Sequence, residues 1–272
     1  MESVDNKFVI GIGSQRAGST LLHRILDRCT DIFMHPVKEL HYFDTLYDVR
    51  KQRILTEFSA RQLKRLGNKP AVTKPQKCNL RANRMLANRR VQNIDYLDLY
   101  RPCLLGNNIV GEVTPEYMIL PEEGIKCMRD TIGADAKIIL LTRDPLERFL
   151  SSFKLLKAYS EATPNFSNFE RELLESFETM PAWIEQQREL NDYEAAADLY
   201  KKHFSNFLTM KFEDFVRVDE PLIKNLESFL EVEIKRGPLQ NVASRKVNTI
   251  TAAPGVTPET KERVRELLLG TS

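Results

Sequence analysis

The sequence predicts an α/β fold: a single domain, residues 1–272, with a central, mainly parallel sheet flanked by helices and a P-loop-like phosphate-binding loop after the first strand. Three observations carry this. Short apolar, β-branched runs alternate with segments of helical periodicity. A glycine-punctuated loop joins the first such run to the first helical segment. No repeat or low-complexity linker divides the 272 residues, a length that supports one large core.

In chain order, KFVIGIG (7–13) is apolar, β-branched and closed by glycines, as a buried strand is. STLLHRILDRC (19–29) follows with Leu21, Leu22, Ile25, Leu26 and Cys29 on one helical face. DIFMH (31–35), NIVGEV (108–113), AKIILLT (136–142) and NFLTMKF (206–212) read as further strands. LERFLSSFKLLKAY (146–159), FERELLESFETM (169–180) and LIKNLESFLEV (222–232) read as helices, and a last capped helix starts near Thr257-Pro258. Trp183 and the aromatics of NDYEAAADLYKKHF are expected to pack a helical core rather than to stack on a base.

No apolar run is long enough to span a bilayer and no charged-then-apolar leader opens the chain, so a cytoplasmic protein is expected, or a Golgi-lumenal one if a catalytic domain has been trimmed from an anchor. Cys29, Cys78, Cys103 and Cys127 are dispersed without metal-ligand spacing, which predicts unpaired thiols and no metal site. Net charge is only +2, but residues 50–101 carry 14 Lys/Arg against 3 Asp/Glu. That bias suits either solvated helix faces or an electropositive wall that steers an anion into a cleft. Nucleic acid is not expected, because few aromatics interleave with the basic residues.

Three stretches carry chemistry. Gly13-Ser-Gln-Arg-Ala-Gly18 has the glycine spacing of a phosphate cradle, in which loop amides and the positive end of the next helix face an anion. The lysine of triphosphate-binding loops is missing, since Gly18 is followed by Ser19 and Thr20; Arg16, inside the loop, could supply the cation. In LLTRDPLERFLSSF (140–153), Arg143 ends a strand where open α/β sheets place ligand-binding groups, and Ser151 lies two helical turns on. Asp144-Pro145-x-Glu147 reads as a capping box, which gives Asp144 a structural task and weakens a magnesium role for it. In MHPVKELHYFD (34–44), Glu39 and His41 are candidate proton acceptors if the first two strands are parallel neighbours.

Together these stretches resemble the sulfotransferases that use 3′-phosphoadenosine 5′-phosphosulfate (PAPS), most of all the branch of heparan sulfate and bacterial carbohydrate enzymes. GSQRAGSTLL (13–22) is similar to the family's 5′-phosphosulfate loop, RDPLERFLS (143–151) to its 3′-phosphate motif, and KELHYFD (38–44) to the segment with that branch's catalytic glutamate. GEVTPEYM (111–118) and FLTMKFEDF (207–215) are similar to two further family segments. Arg16 and Val113 stand where relatives often have Lys.

The resemblance implies PAPS as donor, 3′,5′-adenosine bisphosphate (PAP) as product, no metal, and in-line transfer to a hydroxyl. Ser14, Gln15, Arg16, Ala17, Gly18, Ser19 and Thr20 are then expected at the 5′ end, and Arg143 and Ser151 at the 3′-phosphate, with Arg245 and Lys246 as late-loop additions. Glu39 is the implied general base, with Arg16 and His41 beside the reaction. A glycan or glycolipid acceptor would meet Lys38, Lys74, Lys77, Arg81 and Arg84. The competing expectations are a P-loop kinase or NTPase, an enzyme for small alcohols or phenols, and a non-catalytic polyanion-binding module.

Overall fold

The computed structural model describes residues 6–67, 71–104, 106, 108–160, 165–243 and 255–270. The elements in order are β1 (Lys7–Gly13), α1 (Ser19–Cys29), β2 (Phe33–Met34), α2 (Tyr42–Leu46), α3 (Gln52–Leu66), α4 (Lys74–Asn88), α5 (Tyr96–Tyr100), β3 (Ile109–Val113), α6 (Glu122–Ile132) and β4 (Lys137–Thr142). There follow α7 (Pro145–Ser160), α8 (Phe169–Thr179), α9 (Pro181–Glu189), α10 (Tyr193–Lys201), β5 (Asn206–Lys211), α11 (Phe212–Phe215), α12 (Glu220–Leu230), α13 (Arg236–Ala243) and α14 (Pro258–Leu269).

The strands form one parallel sheet in the order β2-β3-β1-β4-β5. Both faces are covered, as a parallel sheet requires. Ile10, Ile12, Val110, Ile138 and Leu140 pack one core with α2–α6 and α10, while Val9, Val113, Ile139, Leu141 and Met210 pack the other with α1, α12 and α13. The strand period of two therefore sends alternate residues of β1 into different cores. A third apolar cluster joins α7, α8, α9 and α14. Trp183 packs there against Phe149 and Phe153, as expected of a core aromatic.

The expected parallel α/β domain is present, with one change of topology. β1 and β2 are not neighbours, because β3 lies between them. β2 is also shorter than its apolar run: the Thr30 hydroxyl takes the Ile32 N–H at 3.1 Å at one end, and His35-Pro36 turns the chain at the other. Val113 is fully buried against Gly11, where a Cβ would meet its methyls at 2.8 and 2.9 Å, so this position belongs to the core.

Candidate active site

The loop after β1 is fixed by its own backbone and by two neighbouring elements. Ala17 N–H donates to Ser14 O (3.0 Å), and Ser14 N–H donates to Leu141 O of β4 (2.7 Å). The Ser14 hydroxyl donates to Leu190 O (2.7 Å), so it ties the loop to the α9–α10 turn. Gly13 and Gly18 have φ of 89° and 95°, and a Cβ on Gly18 would also press on Phe212 at 3.2 Å. Gly18 is the N-cap of α1, with no side-chain cap and no acidic residue in the first turn. The positive helix end thus keeps its attraction for an anion. Gln15, Arg16 and Thr20 are half-buried around it, while Ala17 and Ser19 are buried.

Arg143 and Ser151 meet through Arg16. Arg143 Nη1 donates to Arg16 O (2.9 Å), and Arg16 Nε donates to Ser151 Oγ (2.8 Å). The Arg143 guanidinium lies 4.4 Å from the centroid of Phe212, the ring that also abuts Gly18. Phe212 therefore packs between the glycine loop and the strand-end arginine. Among the described residues Arg143 Nε is buried without a hydrogen-bond partner, an orphaned donor that suits an anionic ligand. Burial lowers the pKa of both arginines; repulsion by Arg143 adds to this at Arg16, while Glu147 and Glu213 counter it at Arg143.

Asp144 caps α7 as expected, its Oδ1 taking the Glu147 N–H at 2.9 Å. The reciprocal half of the box is replaced: Glu213 takes the Asp144 N–H at 3.3 Å and Glu147 accepts from Lys261 at 2.7 Å. Arg148, which motif reading passed over, is fully buried beneath this helix start. Its partners are neutral: Asn191 Oδ1 (2.5 Å), Gln187 O (2.8 Å), Gln187 Oε1 (3.0 Å) and Ser152 Oγ (3.3 Å). Burial lowers its pKa to about 10, so it stays cationic at neutral pH.

The 35–41 segment is held from below. Burial pulls His35 down to about 4, and the neutral ring donates from Nε2 to Leu99 O (3.0 Å) while Nδ1 accepts the Val37 N–H (3.1 Å). Buried Glu112 of β3 accepts from Leu40 N–H (3.1 Å), Thr114 Oγ1 (2.6 Å), Tyr96 OH (2.7 Å) and Tyr117 OH (3.0 Å). Tyr117 OH in turn accepts the Tyr42 N–H (3.1 Å). The loop is thus pinned on both sides of His41, which explains how Glu39 (φ 63°) and His41 (φ 51°) stay in the left-handed region. Such backbone costs about 1–3 kcal/mol per residue and collects at functional sites. Arg16, at φ 73°, shares the feature.

Glu39 Oε1 pairs with Lys38 Nζ, and its Oε2 lies 3.6 Å from His41 Nε2. Burial pushes the Glu39 carboxyl up, but the His41 hydrogen bond and the Lys38 and His41 charges outweigh it and hold the pKa at about 2. His41 Nδ1 donates to Asp44 Oδ2 (2.7 Å) and lies 4.0 Å from Glu116 Oε2. Burial pulls His41 down, yet Asp44, Glu116 and Glu39 raise it to about 10. Arg50 Nη2, 3.1 Å from His41 Nε2, competes for that nitrogen's lone pair; the three carboxylates favour the imidazolium. Although β1 and β2 are not adjacent, α1 still meets this loop through His23, whose ring nitrogen is 3.3 Å from His35 O and which senses the charges of Lys38 and Glu39.

A family model, Sulfotransferase family, matches residues 8–236. The chain belongs to the sulfotransferase family. Its members use PAPS and leave PAP. Among solved structures, this sulfotransferase is similar to one from Alicyclobacillus acidocaldarius, with a TM-score of 0.60, 19% identity, and 97% of this chain and 91% of that one covered. It is also similar to a sulfotransferase of Mycobacterium tuberculosis H37Rv (TM-score 0.47, 15% identity, 98% and 77% covered). A third is a retinol dehydratase in complex with androsterone and inactive cofactor PAP (TM-score 0.45, 18% identity, 87% and 63% covered). A search of curated protein sequences returns no match.

In the sulfotransferase, Lys77, Arg81 and Arg84 line a groove of about 420 Å³ with Met85 and Pro102. They occupy the exposed face of α4, with Lys74 one turn earlier, while Cys78, Ala82 and Met85 face inward. Asn79 Nδ2 donates to Pro36 O (3.2 Å), which seats α4 against the loop carrying Lys38 and Glu39. Among the described residues, Lys38 is the member of the expected acceptor-binding set that contacts Glu39. Arg245 and Lys246 lie outside the described residues.

His41, Asp44 and Glu116 bring one ligand atom each within 4.8 Å of one another, a spacing that a metal ion could use. Lys38, Arg50 and charged His41 already balance Glu39, Asp44 and Glu116 there. No helix among the described residues is long and apolar enough to cross a membrane.

Proposed function

We propose that this sulfotransferase transfers the sulfuryl group of PAPS to a hydroxyl of an anionic carbohydrate or glycolipid headgroup, with Glu39 as general base and the whole chain acting as one domain. The observation that carries the reading is the Arg143–Arg16–Ser151 contact beside the uncapped start of α1. It suits a ligand with two phosphate-bearing ends.

In this reading the α1 N-terminus with the amides of Gln15, Gly18 and Ser19 holds the 5′ end, with help from Thr20, and Arg143 with Ser151 holds the 3′-phosphate. Ser14 and Ala17 shape the loop, since the Ser14 hydroxyl is spent on Leu190 and Ala17 is buried. Arg16 exchanges Ser151 for the departing phosphate, where a guanidinium stabilises the developing charge. Glu39, ionised and about one-third exposed, accepts the acceptor's proton, and His41 orients it. PAPS supplies the sulfuryl group; positioning and electrostatics come from the chain, and no metal is needed. Against a P-loop NTPase, position 19 is a buried serine and Asp144 is committed to its cap. The α4 groove, basic along one edge, favours an anionic glycan over a phenol or simple alcohol.

The test is transfer of label from radioactive PAPS to a heparan-type glycan, a neutral glycan and a phenol. The reading expects label on the anionic glycan, lost in Glu39→Gln. Transfer confined to the phenol would replace the carbohydrate assignment, and unchanged transfer by Glu39→Gln would remove Glu39 as base.

A further inference from the structure

We infer that Lys38 is a specificity-determining latch: it masks the Glu39 carboxylate until an acceptor with its own anionic group beside the reacting hydroxyl draws the ammonium away. The inference rests on the general-base reading of Glu39 and adds to it the class of acceptor that the base serves.

Three features carry it. Lys38 Nζ sits on Glu39 Oε1, the oxygen that His41 leaves available, because His41 Nε2 faces Oε2 at 3.6 Å. The ammonium takes one of the lone-pair sites of Oε1, and its charge beside the carboxylate lowers the basicity of the sites that remain. The two side chains differ in freedom. His41 is buried and tied to Asp44, whereas Lys38 is 31% exposed and has four rotatable bonds with which to leave. Lys38 is also the cation through which the site can sense charge, since Arg50 lies against His41 and acts on Glu116 rather than on Glu39. The groups facing Glu39 are Lys38 and His41 of its own loop, His23 of α1 and Glu116 from the turn after β3.

The consequence is a base whose strength depends on what is bound. With Lys38 in place, Glu39 is ionised but a poor proton acceptor. When an acceptor carboxylate or sulfate takes the ammonium, Glu39 gains basicity and an open lone pair together. The acceptor oxygen then bonds to sulfur, its proton passes to Glu39, and the bond from sulfur to the 5′-phosphate oxygen breaks with its electron pair leaving on PAP. A neutral acceptor makes the same bonds without releasing the latch, so it is slower even when bound.

The experiment pairs 4-nitrophenyl β-D-glucuronide with 4-nitrophenyl β-D-glucoside, which differ by one carboxylate, in the wild type, Lys38→Gln and Lys38→Arg. The wild type is expected to favour the glucuronide about tenfold in kcat, Lys38→Gln to lose the preference, and Lys38→Arg to keep part of it. Carbon-13 carboxyl NMR, with the Glu39 resonance assigned by its absence in Glu39→Gln, reads the latch without donor or acceptor. Lys38→Gln should raise the Glu39 titration midpoint by about one pH unit. An unmoved midpoint, or a wild-type preference that survives in Lys38→Gln, overturns the inference. Failure of the protein to bind PAP at all would instead overturn the PAPS reading while leaving the NMR result to decide the latch.

Discussion

The arginine cluster around Arg143 and Arg148 and the Glu39 cluster handle charge in opposite ways. Around Arg143 and Arg148 the hydrogen-bond partners are carbonyls, amides and a hydroxyl, with an aromatic ring under Arg143. Around Glu39, each charge has an opposite charge within contact: Lys38 and His41 on Glu39, Asp44 on His41. The first arrangement concentrates positive potential and awaits an anion. The second is neutralised internally and must be rearranged before it can move a proton. Binding and turnover should therefore respond to different variables, the former to the ligand's phosphates and the latter to pH and acceptor charge.

The largest effect expected from breaking this contrast is on turnover. Glu39→Gln should lower transfer by about 10²–10⁴-fold, the usual worth of a general base, while PAP still binds within about twofold in calorimetry. Next comes Arg148→Met, which strands the Gln187 and Asn191 groups that the guanidinium serves. Loss of such a buried network should cost about 3 kcal/mol in chemical denaturation. It should also weaken PAP, because the α9–α10 turn holds the Ser14 hydroxyl.

If Arg143 pairs with the 3′-phosphate as proposed, Arg143→Ala should raise the Kd for PAP about 10–100-fold, in line with about 1.5–3 kcal/mol for a charge-assisted bond. Affinity for adenosine 5′-monophosphate, which lacks that phosphate, should change far less. An equal loss for both ligands would place Arg143 elsewhere.

The smallest effect concerns stability against pH. Glu39, held at about 2 from an ordinary 4.5, contributes stability above about pH 4.5 and loses it as pH falls towards 2. His41, raised from 6.5 to about 10, contributes fully below pH 6.5 and loses its contribution as pH rises towards 10. The pair is therefore most stabilising between about pH 4.5 and 6.5. His41→Gln should flatten the alkaline decline in denaturant midpoint measured from pH 6.5 to 10.

Much of this was legible in the residues. Strands with continuous apolar runs and helices with a clear apolar face agree with their sequence patterns to within a residue or two, because a doubly covered parallel sheet writes its burial directly into sequence. That the glycine loop and Arg143 come together is legible because both stand at the carboxyl ends of adjacent central strands. What stayed hidden depended on distance along the chain. Nothing local marks Arg148 as buried, since its neighbours read as an ordinary amphipathic helix. Glu112 looked like one polar residue in a strand, yet Tyr96 and Leu40 reach it from 16 and 72 positions away. The order of β1, β3 and β2 was equally invisible, because adjacency in a parallel sheet is set by crossover packing and not by any residue in the strands. The His41–Asp44 spacing could have been found as an i, i+3 pair in KELHYFD.

The most direct test of a PAPS site at Arg143 and Ser151 is calorimetric binding of PAP and of ATP to the wild-type protein, each with and without magnesium. PAP is expected to bind without magnesium and at least tenfold more tightly than ATP, which lacks the 3′-phosphate proposed to meet Arg143 and Ser151. Equal affinities, or PAP binding that appears only with magnesium, would contradict it.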